Sequence, residues 1–157
     1  MTRALHAGTV QGVTEALRRF DAALDLLDEA AARTLDIGRT DLRAMEIISR
    51  SGPVSATSLA TQLRLTSGAV TTLIDRLVAA GIAVRNADPD DRRKVALELT
   101  RKGRAREARL FGPLGQRVGA ALRRYSSSDL GLIVGFLKTV TEVTEQYRLS
   151  LPVASVR

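Results

Sequence analysis

The chain has 157 residues, enough for one globular domain with attached helices, and its 45% hydrophobic and 26% charged residues are typical of a folded protein. The absence of Cys excludes disulfides, thiolate metal sites and cysteine-based redox sensing. The first residues lack a signal peptide's apolar stretch, and no run is long enough to span a bilayer, so we expect a cytoplasmic protein without membrane contact. The net charge of +7 is uneven: residues 39–104 carry 12 basic and 7 acidic side chains, whereas residues 1–38 carry 4 and 6. A basic middle segment is expected of a nucleic-acid-binding module.

The first two predicted elements are amphipathic helices. Apolar residues recur at steps of three and four from Val13 to about Thr34, which predicts one long helix. Thr40 is the expected N-cap of a second helix that ends at about Arg50, because Ser51-Gly52-Pro53 follows. The inward residues of the second helix are expected to be Leu42, Met45 and Ile48.

Two further helices follow at short spacing. Ser55 is positioned to cap a helix over 56–62, and Thr66 to cap a longer helix over 67–80. Gly81 then takes the usual position just after a helix. The longer helix has an apolar stripe of Val70, Leu73, Ile74, Leu77 and Val78. Its other face carries small or polar residues: Ser67, Ala69, Thr71, Thr72 and Arg76.

The pattern changes to short strands after Gly81. Residues 82–85 and 94–99 alternate partly with period two, and the polar segment 86–93 between them suits the tip of a β-hairpin. Thr100 is expected to cap a further helix that reaches about Tyr125. The segment 126–129 is expected to separate this helix from the last one and to cap the last helix.

This order predicts a winged helix-turn-helix, a mainly α fold with a small β-hairpin wing (α+β) and additional helices at both ends. In such modules the second helix of the pair enters the major groove. Its hydroxyls can bond phosphates or base edges, its methyl groups can contact thymine, and an arginine can reach guanine or phosphate. The predicted DNA-binding residues before the wing are Ser55, Thr66, Ser67, Ala69, Thr71, Thr72 and Arg76. The alternative is an ordinary solvated helix face.

Several segments together resemble the MarR family of bacterial regulators. They are Leu59-Ala60-Thr61-Gln62-Leu63, Ala69-Val70-Thr71-Thr72-Leu73-Ile74-Asp75-Arg76-Leu77, Gly81, Asp88-Pro89-Asp90-Asp91-Arg92-Arg93 and Leu97-Glu98-Leu99-Thr100. The match covers roughly residues 40–105, and the wing segment is its most specific part. The resemblance implies a sequence-specific transcriptional regulator, which we expect to act as a repressor.

The resemblance also implies roles for the wing. Asp91 and Arg93 match the family's Asp-x-Arg pair, in which the carboxylate orients a guanidinium that enters the minor groove. A narrow minor groove has a strong negative potential that favours such an arginine. Arg92 is expected to contact phosphate or to pair with Asp88, and the alternative is a hairpin whose charges pair only with one another. A neighbouring Asp could also hold Arg76 as an internal brace.

The terminal helices carry apolar stripes that one wing domain cannot bury. We expect them to pack against the same helices of a second chain, and the resulting two-fold dimer to bind a palindromic DNA operator. The alternative is that these helices fold back on their own chain. The predicted dimer contacts are Leu17, Phe20, Leu24 and Leu27 with Leu130, Ile133, Val134 and Leu137. The corresponding divisions are 1–38 and 101–150 for dimerisation, 39–100 for DNA binding and 151–157 for a flexible tail.

No residue pattern predicts a catalytic site, a metal site or a bound cofactor. The single histidine, His6, has no plausible base or nucleophile beside it, and there is no glycine-rich phosphate loop, so we do not expect an enzyme. Many relatives respond to a small aromatic or phenolic effector, but no residue here identifies one. The alternatives to a specific regulator are a winged helix used for protein contacts and a non-specific nucleoid-type DNA binder.

Overall fold

The computed structural model describes residues 2–87 and 95–151. Its helices are α1 (Thr2–Leu35), α2 (Arg39–Ser51), α3 (Ala56–Leu63), α4 (Ser67–Ala79), α5 (Arg101–Leu122) and α6 (Ser127–Ser150). Its strands are β1 (Val54–Ser55), β2 (Ala83–Ala87) and β3 (Val95–Leu99). The expected mainly helical fold with a small antiparallel sheet is confirmed. Two compact units divide the chain, Met1–Leu110 and Phe111–Arg157.

The sheet has three strands rather than the two expected from the sequence. β3 lies in the middle and pairs antiparallel with β2 over its full length, from Ala83 opposite Leu99 to Ala87 opposite Val95. On its other side β3 pairs with β1, which is only two residues long and places Val54 opposite Leu97. The hairpin prediction was therefore correct, but it missed the strand that attaches the hairpin to the start of α3.

The core of the first unit fills the space between α2, α3, α4 and the sheet. Its largest side chains are fully buried aliphatic groups: Leu42, Met45, Ile48, Leu59, Leu73, Leu77, Ile82, Leu97 and Leu99. Burying one such side chain stabilises a fold by about 1.5–3 kcal/mol. The predicted apolar stripes of α2 and α4 thus build the platform for the helix-turn-helix, except that Val78 of the α4 stripe is only half-buried.

Three helices, α3, α4 and α6, have the N-caps that the sequence predicts, whereas α2 has a different one. Ser55, Thr66 and Ser126 accept hydrogen bonds from the backbone N–H three residues later, at 3.1–3.2 Å, and so cap α3, α4 and α6. The prediction of Thr40 as the cap of α2 was wrong. Gly38 is the N-cap, because its extended backbone (φ −71°, ψ 155°) starts the helix two residues earlier and Asp41 accepts a hydrogen bond from its N–H.

A close backbone contact joins the base of the wing to α5. The Thr100 hydroxyl donates to the carbonyl of Gly81 at 2.7 Å and accepts from the N–H of Gly103 at 2.9 Å. The N–H of Thr100 also donates to the carbonyl of Ile82 at 2.9 Å. Gly103 is buried directly against that Ile82 carbonyl, where a Cβ atom would collide with backbone. The expected cap at Thr100 is confirmed, and it orients the wing relative to the first turn of α5.

Candidate nucleic-acid interface

Helix α4 separates its residues into a buried stripe and an exposed face, as expected for a helix that reads DNA. Val70, Leu73, Ile74 and Leu77 are buried, at no more than 3% exposure. The predicted face is exposed throughout: Ser67, Ala69, Thr71, Thr72 and Arg76. The buried stripe fixes the rotation of α4 about its axis, because turning it would expose these four apolar side chains.

The three hydroxyls on this face differ in what they can offer. Thr71 donates to the carbonyl of Ser67 at 2.8 Å, and Thr72 donates to that of Gly68 at 3.1 Å. Their protons are occupied, so they offer an acceptor oxygen and a methyl group. Within the described part of the chain no hydrogen bond is made by the Ser67 hydroxyl, so this group can donate.

Arg76 forms an ion pair that the sequence did not predict. Its Nε and Nη2 atoms donate to the two carboxylate oxygens of Asp41, at 3.1 and 2.6 Å. The hydrogen bond and the charge of Asp41 both raise the pKa of Arg76, which therefore stays cationic. The sequence leaves open a neighbouring Asp as a brace for Arg76. The partner is instead Asp41 on α2, 35 residues away.

The neighbouring Asp75 ties α4 to the wing. Its carboxylate accepts a hydrogen bond from Nη2 of Arg85 on β2 at 2.6 Å, and both side chains are largely exposed. Consecutive residues of α4 thus pair with two different elements, α2 and β2. Neither Asp41 nor Arg85 was named from the sequence. The Gly38-x-x-Asp41 spacing at the start of α2 was the only local signal for Asp41.

The wing residues Asp91, Arg92 and Arg93 lie outside the described residues, so their DNA contacts remain predictions. Ser55 and Thr66 hold the first turns of α3 and α4, and their side-chain oxygens accept backbone hydrogen bonds there. Across residues 2–87 and 95–151 no group of three metal-ligating side chains occurs. No described helix is long and apolar enough to cross a membrane.

The predicted dimer residues are partly exposed within one chain. On α1, Phe20 is 58% exposed and Leu24 39%, while Leu17 and Leu27 are half-buried. On α6, Val134 is 51% and Leu137 46% exposed, while Leu130 and Ile133 are half-buried. Within the described helix α6, Ser127 to Ser150, no residue is buried. Each helix therefore presents apolar surface that its own unit leaves uncovered.

Helix, turn, capped second helix with a polar exposed face, and β-hairpin together define a winged helix-turn-helix protein of the DNA-binding transcriptional regulator class. A family model described as MarR family matches residues 37–95. The chain is 33% identical over 129 residues, 82% of this chain and 84% of the relative, to the uncharacterized HTH-type transcriptional regulator YcgE of Bacillus subtilis (strain 168). The chain belongs to the MarR family, as its sequence motifs indicated, and the relative YcgE is named as a transcriptional regulator.

Other comparisons agree on the class and the fold. The HTH-type transcriptional repressor YetL of Bacillus subtilis (strain 168) is 27% identical over 112 residues, 71% of this chain and 67% of the relative. A solved MarR family protein from Bacillus stearothermophilus superposes with a TM-score of 0.66 at 18% identity, covering 87% of this chain and 96% of that one. Wild-type MarR from E. coli in its apo form gives a TM-score of 0.56 at 24% identity, with 80% and 94% covered.

Proposed function

We propose that this chain represses transcription by binding a palindromic operator as a homodimer, and that a small aromatic or phenolic effector releases it. The observation that carries the DNA-binding part is the exposed, mostly uncharged face of α4, held in place by its buried stripe. A face with few charges favours base reading over general attraction to the phosphate backbone.

Each residue of the interface has a role that its chemistry suits. The Ser67 hydroxyl donates to phosphate, whereas Thr71 and Thr72 present acceptor oxygens to base amino groups and methyl groups to thymine. Ala69 makes an apolar contact. Ser55 and Thr66 fix the first turns of α3 and α4, whose free backbone N–H groups favour phosphate.

The wing completes the interface in this proposal. Arg93 enters the minor groove with its guanidinium oriented by Asp91, and Arg92 contacts phosphate, as the family motif implies. An arginine held in one rotamer loses less entropy on insertion into the groove. These three assignments depend on the resemblance of the wing motif.

Fluorescence anisotropy with the chain's own upstream DNA tests sequence-specific binding. A labelled operator duplex is titrated with protein at several salt concentrations, in competition with a random duplex of equal length. We expect the operator to bind at least about a thousandfold more tightly. Equal affinities with equal salt slopes would identify a non-specific binder, and no binding to either duplex would favour a protein-interaction module.

Arg93→Ala tests the wing, with Arg19→Ala as the matched control. Both variants remove one positive charge, but Arg19 lies on α1, pairs with Glu15 and has an 80% exposed side chain. Arg93→Ala should weaken operator binding by about tenfold or more, the typical loss for one specific contact. Arg19→Ala should change it little. Equal effects of the two variants would mean that only net charge matters.

The dimer is supported by the uncovered apolar residues of α1 and α6. Leu137→Asp places a charge on the α6 stripe and should convert a dimer into monomers in sedimentation equilibrium, against a chain mass of 16.9 kDa. Thr139→Asp is the control, because Thr139 is exposed on the same helix outside that stripe. A wild-type chain that stays monomeric at every concentration would contradict the proposal.

An open cavity of about 540 Å³ offers a place for the effector. It is lined by Thr34, Leu35 and Asp36 at the end of α1 and by Arg106, Arg109 and Leu110 of α5. Two guanidinium groups beside two leucines suit a small aromatic acid or phenol. Benzoate and phenol are suitable probes: they should raise the melting temperature and release operator DNA, and Arg109→Ala should weaken both effects. If no aromatic probe has either effect, the proposed control by an effector is wrong, whereas the proposed DNA binding is unaffected.

Repression of transcription is supported by the relative YetL, which is named as a transcriptional repressor, and by the competition expected between a dimer on promoter DNA and the polymerase. A reporter gene placed downstream of the operator should be expressed more strongly when the gene that encodes this chain is deleted. Lower expression after deletion would identify an activator instead.

A further inference from the structure

Asp41 is the only charged residue that is buried among those the structure describes. It lies in the first turn of α2, and its side chain is 6% exposed. Its carboxylate accepts three hydrogen bonds: from the N–H of Gly38 at 3.3 Å and from Nε and Nη2 of Arg76 at 3.1 and 2.6 Å. Both carboxylate oxygens are therefore used, and two of their three bonds fix one side chain of α4.

We propose that Asp41 is a positioning residue for DNA recognition, which holds the Arg76 guanidinium in one orientation so that its free N–H groups meet a DNA phosphate. This inference rests on the proposed function. A guanidinium has five N–H donors in a rigid planar fork. Asp41 uses two of them, the remaining three are free to donate, and 54% of the Arg76 side chain is exposed.

The position of Arg76 along α4 favours phosphate over a base edge. A helix rises 1.5 Å per residue, so about 14 Å separates Ser67 from Arg76 along the axis. The N-terminal residues of a recognition helix are those that contact base edges. When the first turn of α4 contacts bases, Arg76 is therefore about 14 Å away from them along the helix axis, which favours a contact with the sugar-phosphate backbone.

The second ion pair of α4 is less suited to this task. Asp75 and Arg85 have side chains that are 61% and 41% exposed, and exposed pairs hold their geometry weakly. Asp41 differs because it is enclosed on α2 and tied to the Gly38 backbone. A fixed guanidinium loses less side-chain entropy when it binds phosphate than a mobile one does.

The direction in which operator affinity changes on Asp41→Asn distinguishes a positioning role of Asp41 from a purely electrostatic one. Asp41→Asn removes a negative charge near DNA, so electrostatic attraction predicts tighter binding, whereas loss of positioning predicts weaker binding. We expect operator affinity to fall by about tenfold, the typical loss when a charge-assisted hydrogen bond is weakened. Asp25→Asn is the matched control. It makes the same charge change and breaks the exposed Asp25–Arg39 pair at the same end of α2, and we expect less than about a twofold change.

A double-mutant cycle shows whether Asp41 acts through Arg76. Arg76→Ala should weaken binding and reduce the salt slope by about 1, the value for one lost phosphate contact. Adding Asp41→Asn to Arg76→Ala should then cause no further loss. An undiminished loss in that background, or an Asp41→Asn variant that binds as tightly as the wild type or more tightly, would overturn the inference.

Two further measurements keep the result interpretable. Circular dichroism checks that the Asp41→Asn variant is folded. If it is not, the Arg76→Lys variant takes its place in the test, because lysine keeps the positive charge but lacks the planar set of N–H donors of a guanidinium. Arg76→Lys should also bind more weakly, and wild-type affinity would overturn the inference. If wild-type protein does not prefer its operator, the proposed specific function fails. The comparison of Asp41→Asn with Asp25→Asn on random DNA still tests the phosphate contact, which does not depend on sequence.

Discussion

Gly103→Ala tests the close contact between α5 and the base of the wing. An alanine Cβ at this position would collide with the carbonyl oxygen of Ile82, which is backbone and already accepts a hydrogen bond from Thr100. The chain must shift to relieve the contact, at a cost typical of overpacking, about 1–3 kcal/mol or more. That cost opposes the gain of up to about 1 kcal/mol that Gly→Ala brings in a helix interior. We therefore expect Gly103→Ala to destabilise the fold.

Gly68→Ala is the control for this experiment. Gly68 is exposed in α4 and has no atom within 4 Å of the position a Cβ would take, so only the favourable helix contribution applies. Urea unfolding, followed by circular dichroism at one fixed protein concentration, measures both variants. The midpoint should fall for Gly103→Ala and rise or stay level for Gly68→Ala. If both variants were equally stabilised, the close contact between Gly103 and the Ile82 carbonyl would make no difference to the stability of the fold.

The remaining predictions concern DNA contact, pH and capping. Gly68 is exposed between Ser67 and Ala69 in the first turn of α4, so Gly68→Ala should weaken operator binding by about tenfold without destabilising the fold, because the added methyl keeps the backbone of α4 away from DNA. Unchanged anisotropy would mean that Gly68 does not approach DNA. Burial raises the pKa of Glu46, and the charge of Asp28 adds to this effect. The folded chain therefore holds the Glu46 carboxyl proton more firmly than the unfolded chain does. Glu46 thus lowers the free energy of unfolding as pH rises above about 4.5. Glu46→Gln should thus stabilise the protein at pH 7 more than at pH 4.5, and urea midpoints that shift equally at both pH values would contradict this. Ser126→Ala should cost about 1 kcal/mol by removing the cap of α6, and an unchanged unfolding midpoint would contradict it.

Local rules predicted the helices and most of their ends. The caps at Ser55, Thr66 and Ser126 depend on hydrogen bonds that reach only three residues along the chain, so the local sequence contains the necessary information. Thr40 failed as a cap because a glycine two residues earlier adopts the required extended backbone, and sequence preference alone ranks Thr at least as highly.

Contacts between distant segments could not be predicted in the same way. β1 has two residues, too few for any alternation, and it exists only because β3 pairs with it. The Asp41–Arg76 pair joins residues 35 positions apart, and the sequence offers many other acidic partners for Arg76. The exposed face of α4 was predicted correctly because its apolar stripe sets which side is buried.

Footprinting on the chain's own upstream DNA tests the central claim, that this protein reads a palindrome with two copies of α4 and its wing. Hydroxyl-radical cleavage is compared with and without protein at a salt concentration that suppresses non-specific binding. We expect one protected region with two symmetric halves, whose centres lie about one helical turn, roughly 10 base pairs, or a multiple of it apart. Protection spread evenly along the duplex, or a single unpaired half-site, would contradict the account.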